Sequence, residues 1–216
     1  MPRINPNWVD EIFLLDGNST DGSKEFLESQ GYKVVAQKSN GVKAAFWEAF
    51  DQIKTDVIIP FSPDGNSDPL DIPQLVEKIH QGYDIVVASR YFGGRKSLDD
   101  DPMSRLANKV LTGLINFLFQ SHLSDGIGMY KAFKRKHLYD LRIDRCRDEH
   151  SEIMLLTRGM RYGLKIVEID SEEGARIGPA GSRAHPGSFG KYKSGLLLIK
   201  TILRDALLYW PPKQRA

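Results

Sequence analysis

Two acidic turns hold the side chains best suited to chemistry: Asp16-Gly17-Asn18-Ser19-Thr20-Asp21-Gly22 and Ser62-Pro63-Asp64-Gly65-Asn66-Ser67-Asp68. Each follows a short apolar run, so each leading carboxylate stands where a strand would hand over to its loop. A carboxylate there accepts hydrogen bonds from a base or ribose, or holds a divalent cation through oxygen. Asp and Asn also make Asx-turns and helix caps without any ligand. Two such turns at strand ends of one sheet favour a ligand, because open α/β sheets bind beyond the carboxyl ends of their strands. Neither turn contains G-x-x-x-x-G-K-[ST] or G-x-G-x-x-G, which argues against a P-loop ATPase and a nicotinamide dehydrogenase. The five histidines (His80, His122, His137, His150, His185) never fall as His-x-x-x-His, which argues against a zinc hydrolase.

The elements that must position these turns alternate along the first two-thirds of the chain. Strands are expected at Val9–Leu15, Lys33–Gln37, Asp56–Phe61 and Asp84–Ser89. Helices are expected near Lys24–Gln30, over Ala44–Ile53, where apolar residues recur at helical spacing, and from Asp71 to His80 behind an acidic cap and an early proline. This rhythm predicts a single α/β domain with a mostly parallel sheet covered on both faces. Further on, Met103–Phe119 and Glu152–Tyr162 read as helices, and Ile127–Phe133 and Leu164–Ile169 as strands. Glu172–Gly190 reads as a Gly-rich loop, and Ser194–Trp210 as an amphipathic helix. Residues 1–190 are therefore expected to form the α/β domain, and 191–216 a C-terminal amphipathic helix and tail.

A chain of 216 residues with 41% hydrophobic and 27% charged residues has the composition of a globular domain. The formal net charge of +2 gives no global drive towards nucleic acid. The lone Cys146 excludes an internal disulfide and suits a reducing, cytoplasmic setting. Met1–Asp10 lacks the apolar core of a signal peptide, and Leu196–Trp210 is interrupted by Lys200, Arg204 and Asp205, so no spanning helix is expected.

Six segments, in chain order, resemble motifs of the family 2 glycosyltransferases. DGNSTDGS resembles their "DDGSTDGT" turn, and PFSPDGNSDPLDIP resembles "DADGQHDPEDIP", which contains the D-x-D metal motif. DIVVASRYFGG is similar to "DVVIGSRY", and SRLANKVLTGLINFLF to "SRLANRLARLLL". SDGIGMYKAFKR is similar to "DPTSGFRAFRR", and LKIVEIDSEEGAR to "LRIVEVPVPYRPR". The branch it resembles most is the polyprenyl-phosphate sugar synthases, of the dolichol-phosphate mannose synthase type. The resemblance implies a GT-A (Rossmann-like) fold. It also implies inverting transfer of a sugar from a GDP- or UDP-sugar to a polyprenyl phosphate or related acceptor, assisted by Mg²⁺ or Mn²⁺.

Position by position, the resemblance implies that Asp16, Asn18, Ser19, Asp64 and Gly65 bind the nucleotide sugar, with Gly17 standing where a second aspartate is usual. Asp64 and Ser62 fall on the metal motif, Ser62 replacing its first aspartate and Asn66 or Asp68 available to compensate. Asp64, Arg90 and Asp125 are the catalytic candidates; Asp125 is the base if the acceptor is a hydroxyl, whereas a lipid phosphate needs none. Arg90, Ser104, Arg176 and Lys191 are implied on the acceptor side, with Asp100 in place of an expected arginine. Glu152 falls on the acid opening the next helix, as ligand or cap. The loop cations Arg176, Arg183, Lys191 and Lys193 form either a hinge or a phosphate-closing lid.

One departure concerns the start. The family carries a strand and helix with a "P-x-Y-N-E" segment ahead of the first acidic turn, whereas only Met1–Trp8 precedes Val9, so the usual first strand is expected to be lacking. An uncovered sheet edge invites a homodimer. Ile199, Ile202, Leu203, Ala206 and Trp210 share one face of the terminal helix, which either lies peripherally on the cytoplasmic face of a membrane or packs on the domain or a second subunit. Two other readings stand beside the enzyme: a GT-A protein that binds nucleotide without turnover, and a sugar-phosphate nucleotidyltransferase.

Overall fold

The structure, a computed structural model, describes residues 4–39, 41–62, 64–94, 97, 100–147, 150–174 and 188–209. A 3-10 turn at Pro6–Trp8 leads to β1 (Leu14–Asp16), which pairs in parallel with β2 (Val34–Ala36) across α1 (Ser23–Ser29). The ladder begins later than the expected Val9 start.

The larger sheet has the order β3 (Val57–Ile58), β5 (Lys131–Lys134), β4 (Ile85–Ser89), β6 (Ile166–Asp170). Among the described residues the β1–β2 pair is not hydrogen-bonded to this sheet, so the two acidic turns stand on separate ladders rather than one. β4 and β6 run parallel, while β5 is antiparallel to both β3 and β4. Three of the four strands, β3, β4 and β6, thus share one direction, as expected of a mostly parallel sheet, and β5 alone is reversed. The cause is local: the Asp125 loop sits at the carboxyl end of β4, so the strand leaving it must run back.

β4 explains why its sequence is a continuous apolar run. Ile85 and Val87 face one core with Trp47, Phe50, Phe133, Met154 and Leu156. Val86 and Ala88 face the other with Leu75, Ile79, Ala132 and Ile169. The first core is covered by α2 (Val42–Phe50), α5 (His137–Asp140) and α6 (Ser151–Tyr162), the second by α3 (Ile72–His80). A strand covered on both faces has no polar side to present.

α4 (Pro102–Phe119) starts where Asp101 accepts from Ser104 N at 2.8 Å and Pro102 presets the first turn. It ends on Gln120 in the left-handed region. α4 and α6 share a third cluster with α7 (Ser188–Leu207), built on Leu111, Ile115, Ile153 and Ile202. A buried ionic knot pins α7: Asp205, 0% exposed, accepts from Thr157 Oγ1 at 2.8 Å, Arg158 Nε at 3.2 Å and Arg204 Nη2 at 2.9 Å. Arg158 also donates to the carbonyls of Leu141 and Arg142. Ile202 and Ala206, on the face expected either to meet a membrane or to pack on the domain or a second subunit, are buried inside this packing.

Removing one partner of a buried ion pair leaves the other uncompensated, at a cost of about 3–5 kcal/mol. Asp205→Ala is expected to lose that amount in urea unfolding, whereas Arg204→Ala, partly exposed, is expected to lose under about 1 kcal/mol.

Candidate active site

The site grows from the carboxyl end of β4. Ser89 ends the strand, and Arg90 turns its guanidinium back onto Asp125, in the loop between α4 and β5. Arg90 Nε and Nη2 reach Asp125 Oδ2 and Oδ1 at 2.6 and 3.1 Å, a bidentate pair. Asp125 is 0% exposed and also accepts from Asn108 Nδ2 and Gly128 N, both at 3.0 Å. A Cβ on Gly128 would stand 3.0 Å from Asp125 Oδ2, so glycine is what lets the loop curl around the carboxylate. Glu168, on β6, accepts from Ser124 N at 2.8 Å and Asp125 N at 2.9 Å and holds the loop from the far side.

Burial alone would push the Asp125 carboxyl up, but the Arg90 bonds and charge, with Asn108, hold it below the usual carboxylate range. Burial would likewise pull Arg90 down, and Asp125, Glu173 and Asp100 together hold it up. Lys131, at the start of β5 and 1% exposed, donates to the Glu152 carbonyl at 3.2 Å. Burial pushes its ammonium down to about 8 against the pull of Glu152 and Asp125.

Arg90 Nη1 faces a cleft of about 200 Å³ with Ser62, Asn66, Asp100, Tyr130, Ser171 and Glu173 in its wall. Asp100 lies 3.2 Å from Nη1 and Glu173 3.6 Å. The second acidic turn forms the opposite wall: Asn66 N donates to Asp64 Oδ1 at 3.5 Å, and Asp68 caps Leu70 N at 3.0 Å. The segment leaving β6 presses on this turn, since a Cβ on Gly174 would stand 3.1 Å from the Gly65 carbonyl. Asn66 Oδ1 is buried and has no hydrogen-bond partner among the described residues.

The structure thus brings Ser62 and Arg90 to the same cleft, with Asp64 and Gly65 in the turn that carries Ser62 and Asp125 paired to Arg90. Asp16 sits apart on β1, where the Ser19 hydroxyl and backbone amide hold its carboxyl below the usual range; Asn18 and Ser19 are exposed. Ser104 is in the first turn of α4, where its amide satisfies Asp101, and it does not line the cleft. Glu152 is half-buried beside Lys131 and His150 rather than in the cleft. Arg176 and Arg183 lie outside the described residues, as do the side chains of Lys191 and Lys193.

Sequence reasoning missed Asn108, Glu168 and Glu173. Asn108 carried a signal, since it pairs with Thr112 at 2.8 Å, two polar residues one turn apart on the side of α4 that is otherwise apolar.

The family model for glycosyl transferase family 2 matches residues 6–142, well over half the chain, and the chain belongs to that family. Its fold is the GT-A fold. Curated relatives include the undecaprenyl-phosphate 4-deoxy-4-formamido-L-arabinose transferase of Aeromonas hydrophila, 28% identical over 202 residues, covering 90% of this chain and 56% of that one. Glycosyltransferase AglJ of Haloferax volcanii is 28% identical over 131 residues, covering 60% of this chain and 43% of its own length. The chain therefore spans about half the length of these relatives. Among solved structures, glucosyl-3-phosphoglycerate synthase of Mycobacterium tuberculosis, in complex with Mn²⁺, UDP and phosphoglyceric acid, superposes with a TM-score of 0.66 at 20% identity, covering 94% of this chain and 69% of that one. The same synthase has been solved with Mg²⁺ and UDP.

Because the Asp125 pKa is depressed, its stabilisation is present above the unfolded value of about 4 and is lost as pH falls through the lower folded value. Thermal melts from pH 7 to pH 3 should therefore show Asp125→Ala destabilised by about 3–5 kcal/mol at pH 7, with a flattened acid limb.

Proposed function

We propose that this chain is the donor-binding catalytic part of an inverting glycosyltransferase that moves a sugar from a nucleoside-diphosphate sugar to a polyprenyl phosphate. The observation that carries the reading is the cleft itself. It sets a strand-end guanidinium, locked by a buried carboxylate, opposite an acidic turn with an unpartnered amide oxygen. The curated relatives named above, two transferases acting at this level of resemblance, and the UDP-binding structural neighbours support the same class.

Oxygen donors from Asp64, Asn66 and Ser62 fit Mg²⁺ or Mn²⁺, which use one or two carboxylates and complete their shell with phosphate oxygens and water. Among the described residues no group of three His, Cys, Asp or Glu converges, so softer, all-protein metal cages do not fit. When bound, such an ion would neutralise charge on the donor's diphosphate. Arg90 supplies a fixed positive charge beside the leaving group, pre-oriented so that it need not reorganise during reaction.

Asp125 is the positioning residue for Arg90 rather than a base. Its oxygens already accept from Arg90, Asn108 and Gly128, and its depressed pKa disfavours taking a proton. That suits a phosphate acceptor, whose second pKa of about 6 leaves it ionised and nucleophilic at neutral pH. The acceptor oxygen attacks the anomeric carbon from the face opposite the departing diphosphate, so the configuration inverts.

A lipid acceptor needs a surface that meets the bilayer. No described helix is long and apolar enough to cross a membrane. The outward faces of α4 and α7 instead expose Met103, Leu106, Val110 and Phe117 on one helix, and Leu196, Leu203 and Leu207 on the other. α4 has no acidic residue, and the single one in α7, Asp205, is buried, while Lys109 and Lys200 are exposed. An apolar stripe flanked by cations alone fits an anionic lipid surface.

Calorimetry should detect UDP or GDP binding that requires Mn²⁺ and is lost in Asp64→Asn. Absence of either nucleotide's binding would leave the donor reading without support and favour an inert scaffold. Flotation with phosphatidylglycerol vesicles should carry the protein upward, and Leu106→Glu/Phe117→Glu should leave it at the bottom without changing UDP affinity.

A further inference from the structure

Glu173 lies on the segment that leaves β6, and donors from three separate segments meet its carboxylate. Asn66 Nδ2 approaches Oε1 at 3.5 Å, Arg90 Nη1 stands 3.6 Å from the same oxygen, and the Ser97 hydroxyl donates to Oε2. Ser97 is itself fixed: it is 0% exposed, its Oγ accepts from Asp100 N at 2.9 Å, and its carbonyl accepts from Arg105 Nη2 at 3.0 Å. An amide, a hydroxyl and a guanidinium aimed at one pair of oxygens are the donor set of an oxyanion site. Asn66, Arg90 and Glu173 line a cleft large enough for a phosphate group, with Ser97 buried behind the Glu173 carboxylate, yet the anion these donors hold belongs to the chain.

We propose that Asn66, Ser97 and Arg90 bind a phosphoester oxyanion of the substrate, and that Glu173 occupies their site in the ligand-free chain as a tethered mimic of that anion. The proposal rests on the glycosyltransferase reading and adds a regulatory contact to it. Binding exchanges one anion for another without making or breaking a covalent bond: the carboxylate swings into solvent and the phosphate oxygens take its donors. Arg90 keeps its bidentate pair with Asp125 throughout, because Glu173 engages only Nη1. The apparent affinity for phosphate is lowered by the fraction of chains in which Glu173 is seated, so a site closed nine times in ten binds about tenfold more weakly than its donors allow.

Two phosphate sources share this chemistry, the acceptor's monoester and the donor's diphosphate, and titration calorimetry separates them. Decyl phosphate and UDP with Mn²⁺ are titrated into the wild type, Glu173→Gln and Glu173→Ala. Removal of the carboxylate is expected to tighten binding of at least one ligand about tenfold. A gain confined to decyl phosphate assigns the site to the acceptor, and a gain confined to UDP assigns it to the donor. Ser97→Ala, combined with Glu173→Ala, is expected to abolish the gain. Unchanged or weaker binding of both ligands in variants that melt as the wild type does overturns the proposal. Glu173→Gln, which keeps the side chain's shape, decides the matter if the alanine variant melts early. A wild type that binds no UDP, with Glu173→Ala still gaining decyl phosphate, would refute the donor reading and leave the latch standing.

Discussion

The architecture around the cleft depends on one interaction, the bidentate pair between Arg90 and Asp125. A carboxylate with no solvent exposure is tolerable only when paired and saturated with donors. Each donor comes from a different place: Arg90 from the end of β4, Asn108 from the middle of α4, and Gly128 from the loop's own return. Glu168 on β6 then holds the loop's backbone amides. Three elements distant in sequence are tied to one side chain, so the direction of Arg90 is set by the fold rather than by its own rotamer freedom. A reversed strand follows from the same constraint, because the chain must enter the sheet from the end where Asp125 sits.

The second buried ionic group, around Asp205, uses the same physics for a different end. There Thr157, Arg158 and Arg204 converge on a carboxylate between α6 and α7, far in the chain from the acidic turns. Burying Ile202 and Ala206 against α4 and α6 assigns one stripe of the terminal helix to the core. What remains outside is the stripe through Leu196, Leu203 and Leu207. A helix with two apolar stripes thus serves two surfaces, and the buried carboxylate fixes which stripe faces the core.

The sequence made much of this legible. A continuous apolar run marked β4, helical spacing marked α2, and the acidic cap with its early proline located the start of α3 within a residue. Arg90, Asp64 and Asp125 were readable by resemblance. Three matters were not. The direction of β5 is a tertiary consequence of where Asp125 docks, and a short strand carries no mark of direction. The separation of the Asp16 turn from the larger sheet depends on hydrogen bonds between strands, which periodicity does not report. Glu173 sits in a Gly-rich acidic stretch whose composition reads as solvated loop, and its partners Asn66, Arg90 and Ser97 are each separated from it by a long stretch of sequence.

Charge at the cleft binds these observations together. Arg90 contributes one positive charge, while Asp125, Asp100 and Glu173 surround it with three negative ones. Lys131, buried behind the pair, returns part of one charge at neutral pH, since burial lowers its pKa to about 8. Among the described groups the cleft is therefore net negative, an environment that by itself repels a diphosphate or a phosphomonoester. Asp125 cannot be the group that yields, because it has no solvent exposure and its oxygens satisfy Arg90, Asn108 and the Gly128 amide at once. Asp100 is tethered through Tyr91 and its own backbone contact with Ser97. A divalent cation arriving with the phosphate, or withdrawal of Glu173, would each offset that repulsion. The Asn66 oxygen, unpartnered among the described residues, and the Glu173 carboxylate, which Asn66 also contacts, would supply those two routes. In the proposed scheme Asn66 is common to them: its amide nitrogen meets the Glu173 carboxylate, and its amide oxygen would be the one to face a cation.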